Sequence, residues 1–312
     1  MKELVVVSGK GGTGKTSIVA SLAALAGGNA VCADCDVDAA DLHLVLSPRI
    51  QEKHEFYGLD MARIDPEKCT ACGECAEHCR FDAIFSPVSG NESYSVDPIS
   101  CEGCGVCFHV CPAEAVIMEK SVEGEWYVSE SRFGPMVHAR LSPGGENSGK
   151  LVTQVRQSAK QMAETRNCGL IITDGSPGIS CPVIASLTGA DMALIVTEPT
   201  LSGEHDLERV AQLAKQFGIP TMVCINKRDL NPDQAENMMR RAQANGLEVT
   251  AMIDYDSVFT AAQIEGLSVV EFSDNIAATQ IKELWRKIVE RLELNNSREE
   301  FPADQNGKEQ QA

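Results

Sequence analysis

The stretch Leu4-Val-Val-Val-Ser-Gly-Lys-Gly-Gly-Thr-Gly-Lys-Thr16 decides the fold. Leu4 to Val7 is a short apolar run that reads as a buried strand, Ser8 to Gly14 is a glycine loop, and Lys15 to Ala26 reads as a helix free of Gly and Pro. A strand, a loop of the form Gly9-x4-Gly14-Lys15-Thr16 and a helix together make a phosphate-binding loop. Its glycines let backbone N–H groups turn onto phosphates, Lys15 sets a charge on the β and γ oxygens, and the Thr16 hydroxyl is placed to ligate Mg²⁺. Gly9, Lys10, Gly11, Gly12, Thr13, Gly14, Lys15, Thr16 and Ser17 are therefore the predicted nucleotide-binding residues.

Outward from the loop, Ala30 to Ala33 reads as a second strand, and the β/α alternation predicts a mostly parallel sheet with flanking helices. The alternation stops near Asp60. It resumes beyond Lys120 with a Pro/Gly/Ser-rich loop at Ser142 to Gly149 and a helix from Lys150 to Thr165, then strands at Gly169–Thr173, Met192–Val196, Thr221–Ile225 and Glu248–Ile253. The predicted organisation is one α/β domain in two parts, 1–59 and 121–294, interrupted by a small α+β module at 60–120 and followed by a polar, disordered tail at 295–312. Ile281, Leu284, Trp285, Ile288 and Leu292 recur at helical spacing. Lys282, Arg286, Lys287 and Arg291 alternate with Glu283, Glu290 and Glu293 on the polar face, which predicts a docked helix rather than a membrane anchor.

The interrupting module carries Cys69-x2-Cys72-x2-Cys75-x3-Cys79 and then Cys101-x2-Cys104-x2-Cys107-x3-Cys111-Pro112. This is the doubled spacing of bacterial two-cluster ferredoxins, in which the fourth cysteine of each run ligates the other cluster. The expected 4Fe-4S ligand sets are Cys69, Cys72, Cys75 and Cys111 for one cluster, and Cys101, Cys104, Cys107 and Cys79 for the other. Arg80 stands where proline usually follows the fourth cysteine. Zinc is the alternative, but four-cysteine zinc sites pair two Cys-x2-Cys hairpins rather than placing three cysteines in one run. Cys32, Cys35, Cys168 and Cys224 read as core residues, and His78 and His109 as packing or sulfur-bonding neighbours.

A net charge of -18 argues against nucleic acid or anionic lipid as the main partner. Residues 60–120 hold eleven Asp and Glu against four Lys and Arg, so a redox protein with a basic docking patch is the expected partner. No apolar run approaches the roughly 18 residues of a membrane span, and the N-terminus has no leader-like pattern, so the expected location is cytoplasmic.

Lys10 gives the phosphate loop its deviant Walker A form. Further on come Asp34-Cys-Asp36, Leu170-Ile-Ile-Thr-Asp174 with Gly175-Ser-Pro-Gly178, Thr197-Glu-Pro-Thr-Leu-Ser-Gly203 and Asn226-Lys-Arg-Asp-Leu-Asn231. With Cys101-Glu-Gly-Cys-Gly-Val-Cys107, these motifs make the chain from Met1 to about Leu294 resemble MinD-superfamily P-loop ATPases that contain an inserted ferredoxin domain. MinD, ParA, Mrp and the nitrogenase iron protein share the nucleotide motifs.

The resemblance implies that Lys10 reaches across a dimer to a partner's nucleotide. It implies that Asp36 orients water and joins Thr16 at the Mg²⁺ shell, that Asp174 is the Walker B carboxylate, and that Asn226 sits beside the base. Lys10, Lys15, Asp36 and Asp174 form the implied catalytic set, while Asp38 and Asp41 read as turn or cap residues. ATP is the expected nucleotide. Asn226-Lys-Arg-Asp229 also resembles the guanine-reading motif of G proteins, which leaves GTP open. Cys181 lies seven positions after Asp174, the offset of the bridging-cluster cysteine in the nitrogenase iron protein, with a packing role as its alternative. The implied function is ATP-gated electron transfer by a homodimer or a heterodimer with a similar ATPase. An Mrp-like cluster carrier and a positioning ATPase with a redox-sensing module are the other readings; no Cys-x2-Cys of the Mrp kind follows Cys111.

Overall fold

The structure, a computed structural model, describes residues 1–88, 92–142, 145 and 149–294. Most of the loop predicted at 142–149 and the tail from Asn295 lie outside the described residues. Strand β1 (Lys2–Ser8) is buried from Leu4 onward. Its side chains alternate, with Leu4 and Val6 entering one core and Val5 and Val7 another on the opposite face. A parallel strand covered on both sides reads as a continuous apolar run for this reason.

Helix α1 (Lys15–Ala26), strand β2 (Ala30–Asp34) and the short helix α2 (Leu42–Leu46) complete the first part. Next come β3 (Arg49–Ile64), α3 (Glu74–Glu77), β4 (Ile84–Phe85), β5 (Ser95–Val96), α4 (Val106–Val110), β6 (Val116–Ser131) and β7 (Gly134–Leu141). The remaining elements are α5 (Lys150–Arg166), β8 (Leu170–Pro177), α6 (Cys181–Leu187), β9 (Met192–Thr197), α7 (Leu201–Gln216), β10 (Thr221–Ile225), α8 (Pro232–Ala244), β11 (Glu248–Met252), α9 (Val258–Ile264), α10 (Val269–Phe272) and α11 (Ile276–Arg291).

One sheet runs in the order β11-β10-β9-β1-β8-β2-β7-β6-β3. All neighbours from β11 to β7 are parallel, whereas β6 is antiparallel to both β7 and β3. Helices α1 and α11 cover one face, through Ile18, Leu22, Ile281, Leu284 and Ile288. On the other face, α5 packs through Leu151 and Val155, and α6 to α8 through Val183, Val210 and Met238. α11 is thus docked, and Leu284 and Ile288 are fully buried.

Strands β3 and β6 are each 16 residues long. At about 3.3 Å per residue they form a ribbon roughly 50 Å long. Residues 65–88 and 92–115 sit at its far end around a separate small core that includes Ile64, Cys75, Ile84, Cys107, Ala115 and Val116. Both strands continue through positions 60 and 120, which pair with each other, and the ladder shifts register between Ile50 and Glu52 and between Phe56 and Asp60.

Candidate functional site

The glycine loop leaves buried β1 and delivers Lys15 to the first position of α1. Gly14, at φ 88°, leaves no space for a side chain, because an added Cβ would lie 2.4 Å from Asn226 Nδ2. Lys15 Nζ donates to Asp174 Oδ1 at 2.5 Å and to Asp36 Oδ2 at 3.1 Å. Asp174 lies on β8 and pairs in register with Asp34 at the end of β2; Asp36 follows two residues later. All four side chains are buried.

One ammonium therefore faces three carboxylates in a dry site. Burial alone would lower the Lys15 value, yet Asp174 and then Asp36 hold it above the ordinary lysine range. Burial raises the Asp34 carboxyl well above the usual range, with the charge of Asp174 adding to the shift. Asp36 is raised as well, again chiefly by burial. Asp34 Oδ2, Asp36 Oδ1, Asp174 Oδ2 and Thr13 Oγ1 have no hydrogen-bond partner among the described residues. Mg²⁺ beside a nucleotide is held by one or two carboxylates together with waters and phosphates, and the unpartnered carboxylate oxygen of Asp36 next to the phosphate loop fits that need.

Asn226 Nδ2 donates to Thr13 O at 2.8 Å, which ties the end of β10 to the phosphate loop. Lys227 Nζ reaches Gly12 O at 2.8 Å. Asp229 Oδ1 accepts from the Tyr255 N–H at 2.5 Å, and Arg228 holds Asp254 with two bonds of 2.7 and 2.9 Å. Ser17 Oγ accepts from Gln263 Nε2 at 2.9 Å. Lys10 points back into its own chain: Nζ lies 2.7 Å from Glu198 Oε1, 3.1 Å from Ser202 Oγ and 3.3 Å from Thr200 Oγ1.

A family described as the CobQ/CobB/MinD/ParA nucleotide binding domain matches residues 4–269. The chain belongs to that family. The uncharacterized protein MJ0578 of Methanocaldococcus jannaschii is 35% identical over 232 residues, covering 73% of this chain and 79% of that protein. MJ0579 of the same organism is 29% identical over 112 residues, 36% of this chain and 40% of that one. Among solved structures, the septum site-determining protein MinD complexed with Mg-ADP from Pyrococcus horikoshii matches with a TM-score of 0.55 at 17% identity, covering 92% of this chain and 95% of that chain. The MinC:MinD cell division complex of Aquifex aeolicus gives 0.57 at 15%, covering 93% and 96%. At these identities the likeness is one of fold.

In this MinD/ParA-type P-loop ATPase the two segments flanking the carboxylates are tied together. The Cys35 N–H donates to Asp174 O at 2.8 Å, and Ser176 Oγ donates to Cys35 O at 2.7 Å. Asp41 stands at the N-cap of α2 without a side-chain cap bond. Cys32, Cys35 and Cys224 are buried core residues, and burial pushes the thiols of Cys32 and Cys224 up to about 12. Cys181 opens α6 and is exposed. The sequence reading missed Asp34 as a third carboxylate and Glu198 as the partner of both Lys10 and Lys227. Asp34 was visible as the first member of Asp-Cys-Asp; nothing near Glu198 in sequence announces two lysines so far away in the chain.

In the module at the ribbon's end the backbone repeats every 32 residues. Left-handed residues occur at Ala71 and Gly103, Gly73 and Gly105, and Asp82 and Glu114. Short helices α3 and α4 begin at equivalent positions, and Cys75 and Cys107 are both buried. Two cavities lie in this module. One is lined by Cys69, Cys72, Cys75 and Cys111 with Ile64, Tyr94 and Val116; the other by Cys79, Cys101, Cys104 and Cys107 with Phe81, Ile84 and Val106. The fourth cysteine of each run thus faces the cavity of the opposite run. Burial raises the thiols of Cys75 and Cys107. At Cys111 burial is outweighed by backbone N–H groups, the Ala115 N–H at 3.3 Å among them, and its thiol is lowered. Among the described residues, no group of three or more His, Cys, Asp or Glu is placed to hold a metal ion. Each quartet instead surrounds an open volume, so the thiols stand apart across a cavity. His78 Nδ1 lies 2.9 Å from Glu74 O, and His109 packs edge-on against Phe108.

No helix among the described residues is long and apolar enough to cross a membrane.

Proposed function

We propose that this P-loop ATPase is a nucleotide-driven switch whose ribbon-borne module, residues 60–120 in the sequence division, holds two 4Fe-4S clusters and passes electrons. The observation that carries the reading is the crossed lining of the two cavities, Cys111 with the first run and Cys79 with the second. A run of spacing alone does not require that crossing. Two cubanes sharing ligands between runs do. Bound there, the clusters supply one-electron storage and transfer.

On the nucleotide side, Lys15 exchanges Asp174 and Asp36 for the β and γ phosphates when ATP enters. That exchange would free Asp36, which with the Thr16 hydroxyl would hold Mg²⁺ and would orient the attacking water. Gly9 to Ser17 cradle the phosphates, and Asn226 stands beside the base. Lys10 leaves Glu198 for the nucleotide of a second subunit when a dimer closes, adding charge stabilisation in trans as an arginine finger does. The Mg-ADP of the Pyrococcus MinD and the MinC:MinD complex of Aquifex support nucleotide binding and protein partners for this fold.

Anaerobic purification followed by iron and sulfide counting tests the reading. About eight irons and eight sulfides per chain, with coupled 4Fe-4S signals in the EPR spectrum of the reduced protein, are expected. Stoichiometric zinc with no visible charge-transfer absorption would remove it.

A further inference from the structure

The 32-residue repeat gives the module two halves with the same backbone and different surfaces. At equivalent interior positions the residues match in burial: Cys75 and Cys107, Ala83 and Ala115, Ile84 and Val116. At equivalent rim positions the residue types differ. Phe81, Val106 and Phe108 are 43%, 40% and 48% exposed, and 32 residues away stand Ala113, Glu74 and Ala76. Because alanine and glutamate serve in one half, the backbone does not need a large apolar side chain at these positions. Leaving two phenylalanines and a valine partly in water forgoes stabilisation that burial would give.

The apolar rim is tied to one cavity. Phe81 and Val106 both line the volume enclosed by Cys79, Cys101, Cys104 and Cys107. Leu59, also exposed, lies beside Gly103, where an added Cβ would come within 3.1 Å of Leu59 Cβ. The patch lies in an acidic module, with eleven Asp and Glu against four Lys and Arg over 60–120: Glu102 lines the same cavity, and Phe81 stands between Arg80 and Asp82. An apolar centre inside an acidic rim is complementary to a protein surface with an apolar centre inside a basic rim.

We propose that the face formed by Phe81 and Val106, with Leu59 at its edge, is where a basic redox protein docks, so that electrons are exchanged at the Cys79/Cys101/Cys104/Cys107 site and not at its twin. The proposal rests on the iron–sulfur reading above. In each encounter the reduced protein is oxidised by one electron and the partner's oxidised metal centre is reduced by one; no bond forms or breaks and no proton moves.

The test uses the full chain with its iron intact, reduced with dithionite, freed of excess reductant and mixed by stopped flow with oxidised cytochrome c as a basic redox probe. Ferricyanide serves as the small oxidant. Transfer to cytochrome c should saturate and should slow as salt rises from about 50 to 300 mM. Leu59→Glu should slow it about tenfold, the loss expected when about 1.4 kcal/mol of interface is removed. Leu59 does not line the cavity, so iron content, the ferricyanide rate and both reduction potentials should stay unchanged. Leu59→Ser is the second variant, and should slow transfer to cytochrome c by a smaller factor with iron intact.

An iron-replete Leu59→Glu protein with the wild-type cytochrome c rate overturns the proposal. So does slowing with both oxidants together with a shifted potential, since the rim would then only shield the site. Self-association of the wild type that Leu59→Glu abolishes would assign the face to a second copy and also overturn it. Failure of the wild type to hold iron is a separate result, because it removes the reading on which the proposal rests before the rim is tested.

Discussion

Glu198 holds the Lys10 ammonium at 2.7 Å through one carboxylate oxygen and the Lys227 ammonium at 3.0 Å through the other. The lysine that the family resemblance assigns to a neighbouring subunit is thus parked within its own chain, with Thr200 and Ser202 as further anchors. Closure of a dimer has to break these contacts. A partly exposed ion pair of this kind contributes about 0.5–1 kcal/mol. Glu198→Gln should therefore lower the protein concentration needed for ATP-dependent self-association by roughly two- to fivefold, measured by sedimentation velocity. Lys10→Ala should keep nucleotide binding and lose hydrolysis by about 10³-fold or more. Full hydrolysis by Lys10→Ala would exclude the trans role.

Among the described residues, Lys15 is the one cation in contact with the buried carboxylates of Asp36 and Asp174, with Asp34 beside them. Its removal leaves like charges unpaired, a loss of about 3–5 kcal/mol. Lys15→Ala should lose phosphate affinity and, in EDTA without nucleotide, should unfold at markedly lower urea. Adding Asp174→Asn should restore part of that loss, with a coupling energy of about 1 kcal/mol or more. Additive effects in the urea double-mutant cycle would show that the carboxylates are not held in check by Lys15.

His138 is buried between Tyr127 and His43, with Nε2 3.0 Å from Ser129 Oγ. Burial, and then the neighbouring His43, lower its value to about 4. Above the ordinary value near 6.5 the ring is neutral in both folded and unfolded chains. Between pH 6.5 and 4 the unfolded chain takes up a proton that the folded one refuses, so stability falls as pH falls through this window. The loss is on the order of 2 to 3 kcal/mol. His138→Gln should show a correspondingly flatter profile of urea midpoint against pH. Parallel profiles for the two proteins would assign the acid sensitivity elsewhere.

The nucleotide half of the fold was legible because its signals are local. The phosphate loop, the buried strands and the helix from Lys150 are each written in a continuous run, and their bounds agree with the structure to within a few residues. The doubled cysteine run was legible too, and the structure lines one cavity with Cys111 and the first run and another with Cys79 and the second. The ribbon was not legible: Arg49 to Gly58 is largely exposed on both faces, and its partner strand mixes buried and half-buried residues without alternation, so no period-two apolar pattern marks them. Glu198 and Asp34 were missed for another reason. Each acquires its role from residues far along the chain, Lys10 and Lys227 for Glu198 and Asp174 and Lys15 for Asp34, and only the folded sheet brings them together.

Contacts run from the nucleotide site to the base of the ribbon. Asp34 sits opposite His138 in the β2–β7 ladder, the His138 ring stacks between His43 of α2 and Tyr127 of β6, and Arg132 at the β6–β7 turn donates to Val45 O at 2.8 Å. The far end of β6 begins at Val116, which lines the Cys69/Cys72/Cys75/Cys111 cavity. If the nucleotide state and the redox state act on one another through this frame, each must change the other by the same factor. The affinity for ATP, measured on iron-replete protein in the oxidised and then the dithionite-reduced state, is the direct test. The account predicts affinities that differ by about fivefold or more. Equal ATP affinity in the two states would contradict it.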